Sequence, residues 1–287
     1  MMETDQAANK KKINKFIKRM PSLSTTVGKV LEICSRTDAS PNELNRVISL
    51  DPVLTGQVLK LINSAYYALM NKVTSLTRAI TMLGMNTVKN MALSTAIIRS
   101  VSGAKKSKAL PTKKFWAHSI ATGVCAKLLA KANGVSVLEC EEFFVAGLLH
   151  DLGKIPFGDE YIDVLHAAQK EQRSLVAVER EDLGLDHQDV GRLIAEKWKL
   201  NDAMISAICF HHDIDAAPEE QQVRVAYVAL ANIYANILDL GYAGDPFPDI
   251  EGIDKILEIT GLKLEMLSDI SASVQDEIEK AQVFLQT

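Results

Sequence analysis

Three features of the sequence predict an all-α fold, in which many helices pack around a large core. Glycine and proline are sparse, with 15 and 8 residues among 287, whereas an all-β fold would need more of both for its turns. The chain is 47% hydrophobic and only 6% aromatic, so its core is mainly aliphatic. Apolar residues recur at helical spacing behind cap residues, and no segment shows a convincing strand pattern.

The first helices are predicted from their N-terminal caps. Ser24, Ser40 and Asp51 are each followed by an apolar pattern of helical period, and each carries a side-chain oxygen suited to capping. Pro41 and Pro52 directly follow the last two caps, at the helical position that proline favours. Two further helices are predicted at 75–83, which ends at Gly84, and at 86–101.

The stretch 102–112 is the clearest predicted linker, because it combines a glycine, a run of lysines and a proline. Beyond it the pattern predicts helices at 113–132, 141–149, 186–198, 202–210 and 223–240, a loop at 241–252, and one or two closing helices at 263–286. The expected organisation is a basic N-terminal segment 1–19, a first helical part 20–104, a second helical part 113–240, and a C-terminal loop with closing helices 241–287.

Charge is divided unevenly along the chain. Residues 1–114 contain 19 Lys and Arg against 6 Asp and Glu, whereas residues 115–287 contain 13 against 30. The basic part could bind an acidic partner such as a nucleic acid, or the two parts could complement each other electrostatically. No nucleic-acid motif accompanies the charge, which favours complementarity, and nucleic-acid binding remains the weaker alternative.

The composition also bears on where the protein functions. No run of 18 or more apolar residues is present, so no membrane span and no membrane partner are expected. Residues 1–12 are polar and lysine-rich, without the apolar stretch of a signal peptide. The four cysteines, at 34, 125, 140 and 209, are scattered and are expected to be buried free thiols. These observations predict a cytoplasmic location.

His150 and Asp151 are the residues that most strongly indicate a functional site. They end the apolar run 143–149, and ionisable groups beside a core are costly unless they pair or bind a metal. Further histidines lie in or beside predicted helices, as in metal sites built inside helical bundles: His118, His187, His211 and His212. Imidazole and carboxylate ligands suit Fe, Mn, Ni or Zn. His166, on a more polar helix, is expected at the surface.

These motifs together resemble those of HDOD domain proteins. The second part, about 113–240, is similar to the HD superfamily of metal-dependent phosphohydrolases in His118, His150-Asp151-Leu152-Gly153-Lys154, His187 and His211-His212. The first part resembles the rest of an HDOD domain in Met20-Pro21-Ser22-Leu23-Ser24, Asp51-Pro52-Val53-Leu54-Thr55, Asn63-Ser64-Ala65-Tyr66 and Ser75-Leu76-Thr77-Arg78-Ala79-Ile80. The resemblance implies a bacterial regulatory module of signal transduction, with a signalling protein or a small nucleotide as its partner.

Departures from the HD pattern weaken the case for catalysis. Asn232 stands where the superfamily has a final metal-binding Asp, and a neutral amide is a poorer ligand for a divalent cation. Lys114 lies one turn before His118, where HD-GYP phosphodiesterases often carry a Glu. The Gly-Tyr-Pro signature of those enzymes is missing after His212. Cyclic di-GMP hydrolysis is therefore not expected.

The two metal positions that the resemblance implies are affected unequally. The first would use His150, Asp151 and Asn232 and is impaired, whereas the second would use Asp151 with His187, His211 and His212 and is intact. We therefore expect one divalent ion rather than two. Lys154 either binds a phosphate oxygen or is a solvated lysine after a helix end.

The sequence leaves two functions open. One is a binding module that retains a partly degenerate metal site. The other is a metal-dependent phosphohydrolase acting on a nucleotide or another phosphate ester, with Asp151 and Lys154 as candidate catalytic residues. The oligomeric state is also open.

Overall fold

The computed structural model describes residues 2–102, 107–245, 247, 250 and 252–286, and it contains no strand among them. The predicted all-α class is therefore confirmed. The helices of the first part, with the N-terminal segment, are α1 (Met2–Arg19), α2 (Thr25–Cys34), α3 (Pro41–Ser49), α4 (Pro52–Ile62) and α5 (Leu76–Ser102).

The second part continues the helical chain. Its helices are α6 (Thr112–Ala132), α7 (Val137–Leu149), α8 (Tyr161–Glu171), α9 (Leu175–Leu183), α10 (His187–Lys197), α11 (Asp202–Phe210) and α12 (Glu219–Ile237). The closing helices are α13 (Ile253–Thr260) and α14 (Glu265–Ala281). Short 3₁₀ helices occupy Leu152–Glu160, Ile214–Ala216 and Gln282–Gln286.

The predicted caps begin the helices of the first part. The side-chain oxygens of Ser24, Ser40 and Asp51 accept hydrogen bonds from backbone N–H groups three residues later, at 3.3, 3.2 and 2.9 Å. The two helices predicted around Gly84 form one bent element, α5. Gly84 has φ 82° and ψ 161°, so it breaks the helical path as expected.

Several elements differ from the expectation. Residues 1–19 were expected only as a basic segment, but they contain α1, whose Ile13 and Ile17 are buried. Helix α13 lies in a region where no helix was predicted, and α7 begins one turn early, with Ser136 as its cap. The predicted linker 102–112 and loop 241–252 each include positions outside the described residues.

Helix α6 forms the centre of the second part. Its side chains are buried on nearly every face, from Phe115 to Ala130, because α7, α12 and α14 all pack against it. The first part joins this bundle through α5, which contacts α7. Phe284, near the C-terminus, packs against Tyr66 of the first part and Phe144 of α7, with ring centroids 5.4 and 4.9 Å away.

No helix in the described ranges combines the length and the apolar character needed to cross a membrane. The four cysteines are free thiols, and all but Cys34 are buried.

Candidate metal centre

Four helices bring the predicted ligands together. His118 lies in α6, His150 and Asp151 follow α7, His187 is the first residue of α10, and His211 follows α11. All five side chains are at most 3% exposed. Two groups of possible ligands result, in each of which the donor atoms lie within 4.8 Å of one another: His187, His211 and His212, and His118, His150 and Asp151.

Gly153 sets the close approach of α10 to the end of α7. A Cβ atom on Gly153 would lie 1.8 Å from the carbonyl oxygen of His187 and 2.6 Å from the backbone nitrogen of Gly191. Only a glycine allows these backbones to meet. This contact places His187 beside Asp151.

The Nδ1 atoms of His187 and His211 are both directed toward protein acceptors. His187 Nδ1 lies 2.7 Å from the buried carboxylate of Glu179, and His211 Nδ1 lies 3.0 Å from the carbonyl oxygen of Ile208. With Nδ1 as the donor, the Nε2 lone pair of each ring is left free. The two Nε2 atoms face each other at 3.3 Å.

Asp151 lies between the two ligand groups. Its Oδ1 atom is 3.5 Å from His187 Nε2 and 3.6 Å from His211 Nε2, and it accepts no hydrogen bond within the described part of the chain. Its Oδ2 atom accepts a hydrogen bond of 2.8 Å from the Lys154 ammonium and lies 3.2 Å from His150 Nε2. Oδ1 therefore faces His187 and His211, whereas Oδ2 contacts Lys154 and His150.

Lys154 is only 1% exposed, so the expectation of a solvated lysine is wrong. Its burial follows from the 3₁₀ turn after Asp151, which directs the side chain back toward that carboxylate. Whether Lys154 binds a phosphate stays a prediction.

His118 pairs with Asn232 through one ring nitrogen. His118 Nε2 is 2.9 Å from Asn232 Oδ1, and the same oxygen also accepts a hydrogen bond from Asn236. Because Asn232 Oδ1 is an acceptor here, His118 Nε2 is the donor and is not free to bind a metal, whereas the buried Nδ1 of His118 has no hydrogen-bond partner among the residues described. Lys114, one turn before His118, is exposed, so water screens its positive charge.

His212 is half-buried, and its Nε2 atom has no hydrogen-bond partner among the residues described. Its backbone N–H donates to the side chain of Gln188, at 3.1 Å. Its ring centroid lies 4.4 Å from that of His211. His212 is thus held beside the other two histidines with a free lone pair. His166 is exposed, as expected.

Burial and charge set the protonation of the centre. Burial lowers the pKa of His118 and of His211 to about 3, and it shifts the pKa of His212 in the same direction. Burial also opposes the charged form of His187, but the Glu179 carboxylate outweighs it and raises the pKa.

Asp151 and Lys154 form the charged pair of the centre. Burial disfavours the anion of Asp151, but the neighbouring His150 and Lys154 outweigh it and hold the pKa of that carboxyl well below its usual range. The pKa of Lys154 is raised, because the attraction of Asp151 exceeds the penalty of burial.

Sequence reasoning missed three residues that shape the centre. Glu179, fully buried in α9, accepts hydrogen bonds from both the backbone and the ring of His187. The hydroxyl of Tyr161 donates to the other oxygen of Glu179. Asp245 lies in the loop after α12, where burial raises its pKa. The only signal for Glu179 in the sequence was its position, eight residues before the candidate ligand His187.

The donor set fits a divalent transition metal. Three buried atoms that could ligate a metal, His150 Nε2, Asp151 Oδ1 and His212 Nε2, have no hydrogen-bond partner in the residues described. Buried polar atoms are normally hydrogen-bonded. Ligands about 2.1 Å from a tetrahedrally coordinated ion lie roughly 3.4 Å apart. The separations of His187 Nε2, His211 Nε2 and Asp151 Oδ1, from 3.3 to 3.6 Å, agree with that spacing.

A cavity of about 260 Å³ opens onto the centre. Its walls come from α12, α13 and the loops beside them, and include Asn232, Asp245, Lys255 and Ile256. His211 and His212 also line it. A small molecule in this cavity would contact the histidines directly.

Most of the chain matches a known protein family. The family model described as the HDOD domain matches residues 20–214. An uncharacterized protein of Treponema pallidum (strain Nichols) is 27% identical over 226 residues, which make up 77% of this chain. The chain spans 43% of that relative's length, so the relative is the much longer protein.

Solved structures with the same fold include an HDOD domain protein of unknown function from Geobacter sulfurreducens, with a TM-score of 0.76 and 25% identity over 99% of this chain and 98% of that one. A protein from Shewanella amazonensis SB2B, named only provisionally as a phosphohydrolase, has a TM-score of 0.68 and 23% identity over 94% and 97%. A protein from Marinobacter aquaeolei VT8, named provisionally as a signal transduction protein, has a TM-score of 0.72 and 18% identity over 99% and 67%.

Proposed function

Since the chain belongs to the HDOD domain family, we propose that it is a bacterial regulatory module of signal transduction that holds one divalent transition metal. The module would act by binding a signalling protein or a small ligand, with the metal fixing the arrangement of α7, α10 and α11. When bound, such an ion supplies a fixed positive charge and Lewis acidity.

The observation that carries this proposal is the convergence of free lone pairs at 3.3 Å between His187 Nε2 and His211 Nε2. Both rings are oriented by acceptors at Nδ1, which is how proteins orient histidines that ligate metals. Two facing lone pairs repel unless a proton or a cation lies between them. Asp151 Oδ1 and His212 supply the remaining ligands.

One ion is favoured over two because Lys154 already neutralises the other side of Asp151. Its ammonium lies 2.8 Å from Oδ2, the oxygen that a second ion would need. A second ion would also have to displace the hydrogen bond between His118 and Asn232. Like charges in a buried site repel strongly.

Metal analysis of the purified chain tests the proposal. We expect about one equivalent of Fe, Mn, Ni or Zn in the native protein, reduced at least tenfold in His211→Ala, because the loss of one ligand of four is poorly tolerated. His166→Ala, at an exposed histidine, is the matched control and should keep its metal. Two equivalents at full occupancy, or equal metal in both variants, would contradict the proposal.

A metal-dependent phosphohydrolase is the second candidate, and the cavity beside His211 and His212 favours it. Lys255 at the rim, exposed and paired with Asp215, could attract a phosphate. A screen of nucleotides and other phosphate esters with Mn, Fe, Co and Ni separates the candidates. Turnover that disappears in Asp151→Ala would establish the enzyme, whereas metal binding without turnover supports the module.

A further inference from the structure

Helix α1 lies across the elements that support the candidate metal centre. It contacts α9, α10 and the 3₁₀ helix Leu152–Glu160. Glu179 is part of α9, Gly153 of the 3₁₀ helix and His187 of α10. No described residue of α1 belongs to either group of candidate ligands. The helix therefore covers the support of the ligands without supplying one.

A short series of neighbours leads from α1 to His187. Ile13 of α1 and Tyr161 line the same small cavity, of about 10 Å³, together with Phe157. The rings of Phe157 and Tyr161 stack with their centroids 4.9 Å apart. The Tyr161 hydroxyl donates to Glu179, which in turn lies 2.7 Å from Nδ1 of His187. The docked helix thus lies behind the side chains that orient a candidate ligand.

Few contacts hold α1 against the rest of the chain. Among its described side chains, only Ile13 and Ile17 are buried. Lys12 pairs with Glu160, but both side chains are more than half exposed, and exposed ion pairs contribute little to stability. The Gln6 side chain donates to a backbone carbonyl of α9, at 2.8 Å. An element with so little buried surface opens at a lower free energy than the core does.

Lys197 fastens the C-terminal end of α1. Its ammonium donates to backbone carbonyl oxygens there, among them those of Ile17 and Met20, at 2.5 and 2.7 Å. Carbonyl groups in the last turn of a helix lack partners inside it, so an ammonium is favoured at that end. Trp198 adds a hydrogen bond of 3.1 Å from its indole to the carbonyl oxygen of Pro21.

Helix α10 connects this contact with the metal centre. His187 is its first residue and Lys197 its last, and its 11 residues span about 15 Å. Both ends are engaged, because Glu179 holds His187 and the carbonyl groups of α1 hold Lys197. A movement of either end is therefore passed to the other by a single helix.

We infer that α1 is a strap whose docking is coupled to metal binding, with Lys197 as a positioning residue that holds the strap. The inference rests on the proposed function, since it needs a metal at the centre. His187, as a ligand, would keep α10 in the position from which Lys197 reaches α1. Docked α1 would in turn keep Tyr161 and Glu179 in place behind His187. Such coupling is reciprocal, so each event strengthens the other by the same factor.

Limited trypsin digestion of the full chain tests the coupling. Helix α1 contains six exposed residues at which trypsin cleaves: Lys10, Lys11, Lys12, Lys15, Lys18 and Arg19. Cleavage requires local opening, so its rate reports how often α1 is undocked. After chelation and dialysis, cleavage within α1 should be at least fivefold faster than in the same chain reloaded with Zn²⁺ or Mn²⁺. Cleavage elsewhere should change much less, and mass spectrometry of the fragments assigns the sites.

Lys197→Met removes the ammonium but keeps most of the side-chain stem. We expect metal affinity, measured by titration with the same ions, to fall at least fivefold, and α1 to be cleaved rapidly with or without metal. Lys197→Arg, which keeps donors for the carbonyl groups, should recover most of the affinity. Lys199→Met, at an exposed lysine, is the matched control and should behave as the native chain does. A purely structural role of Lys197 would free α1 and leave the metal affinity unchanged.

Ile13→Ala provides an independent variant, because it loosens α1 without any change in α10. Ile13 lies before residue 20, where the family match begins, so the rest of the chain should still fold. Metal affinity should again fall, and α1 should again be cleaved faster. Asn14→Ala, at the exposed neighbouring position, is the matched control and should change neither quantity.

The possible outcomes separate this inference from the proposed function. A purified chain that binds no metal would overturn both. One bound equivalent with the same rate of α1 cleavage before and after stripping would overturn the strap alone, as would an equal acceleration of cleavage throughout the chain. Unchanged metal affinity in Ile13→Ala, or in folded Lys197→Met, would also overturn it.

Discussion

Lys154 shows how a single residue can decide what a site is able to hold. Its ammonium and the Asp151 carboxylate are both buried, and each compensates the charge of the other. The same contact occupies the oxygen that would otherwise face a second ion. In the proposed metal site, this one side chain would both stabilise the metal-free protein and limit the number of ions bound.

The substitution Lys154→Met should separate these two effects. It leaves the Asp151 carboxylate buried without its cation, so the free energy of unfolding of the metal-free protein should fall by roughly 3–5 kcal/mol. The second metal equivalent should bind more tightly. Urea unfolding and metal titration measure the two quantities. Lys255→Met, at an exposed lysine, is the control and should change stability by less than about 0.5 kcal/mol.

Tyr161 is connected to the candidate metal centre through Glu179, which contacts His187. In Tyr161→Phe the carboxylate loses a buried hydrogen bond, which should cost about 1–3 kcal/mol. Glu179 then orients His187 less firmly, so metal affinity should drop by roughly 10- to 100-fold. Tyr227→Phe also removes a tyrosine hydroxyl that is hydrogen-bonded, to Asn133, but remote from the centre. An equal loss of metal affinity in both variants would exclude a positioning role for Tyr161.

The candidate ligands could be predicted from the sequence because histidine is rare in this chain and His150-Asp151 interrupts an apolar run. Glu179 could not, since a glutamate in a short helix with several acidic neighbours looks like a solvated residue. The pairing of His118 with Asn232 was also hidden, because it depends on how closely α6 and α12 pack.

At the level of the elements, Gly153 sets the geometry of the candidate metal centre through its backbone alone. No side chain can be placed there without moving α10 away from the 3₁₀ helix that follows Asp151. The first residue of α10 is His187, so any such movement separates His187 from Asp151. The position of the candidate ligand His187 therefore depends on Gly153, which has no side chain.

Gly153→Ala should accordingly impair both folding and metal binding. A methyl group 1.8 Å from a carbonyl oxygen has to displace α10, at a cost of about 1–3 kcal/mol or more. Metal content after purification and the urea midpoint would report the two effects. In contrast, Gly56→Ala in α4 should stabilise the protein by about 0.5–1 kcal/mol. Normal metal content in Gly153→Ala would show that the contact is not needed.

Helices that begin with a capping residue followed by proline were among those that could be predicted. Ser40 with Pro41 and Asp51 with Pro52 define their helices without reference to the rest of the chain. Helix α1 was missed because lysines dominate it and only Ile13 and Ile17 mark a buried face. That face forms through contact with α9, α10 and the 3₁₀ helix Leu152–Glu160, far away in sequence.

At the scale of the whole molecule, the buried histidines link stability to pH. His118 and His211 have pKa values of about 3 in the folded state, against about 6.5 in an unfolded chain. Between these values the unfolded chain binds protons that the folded protein does not, so acid favours unfolding. His187 has a raised pKa and acts in the opposite direction, but only above about 6.5.

The metal-free protein should therefore lose stability as the pH falls from about 6.5 to about 5. Each of the two histidines contributes up to about 1.4 kcal/mol per pH unit to that loss. Urea unfolding at a series of pH values measures the slope. His118→Gln should reduce the slope by about one proton, whereas His166→Gln, at an exposed histidine, should leave it unchanged. A slope unaffected by His118→Gln would contradict the assignment.

The packing of Phe284 means that the recognisable family segment is smaller than the unit that folds. The match ends at residue 214, yet α12 and α14, two of the helices that cover α6, lie beyond it, and Phe284 contacts both Tyr66 and Phe144. A fragment truncated at 214 would expose the apolar surface of α6 to water and lose the wall that carries Asn232. Such a fragment should aggregate on expression, so a soluble recombinant domain has to extend through Phe284.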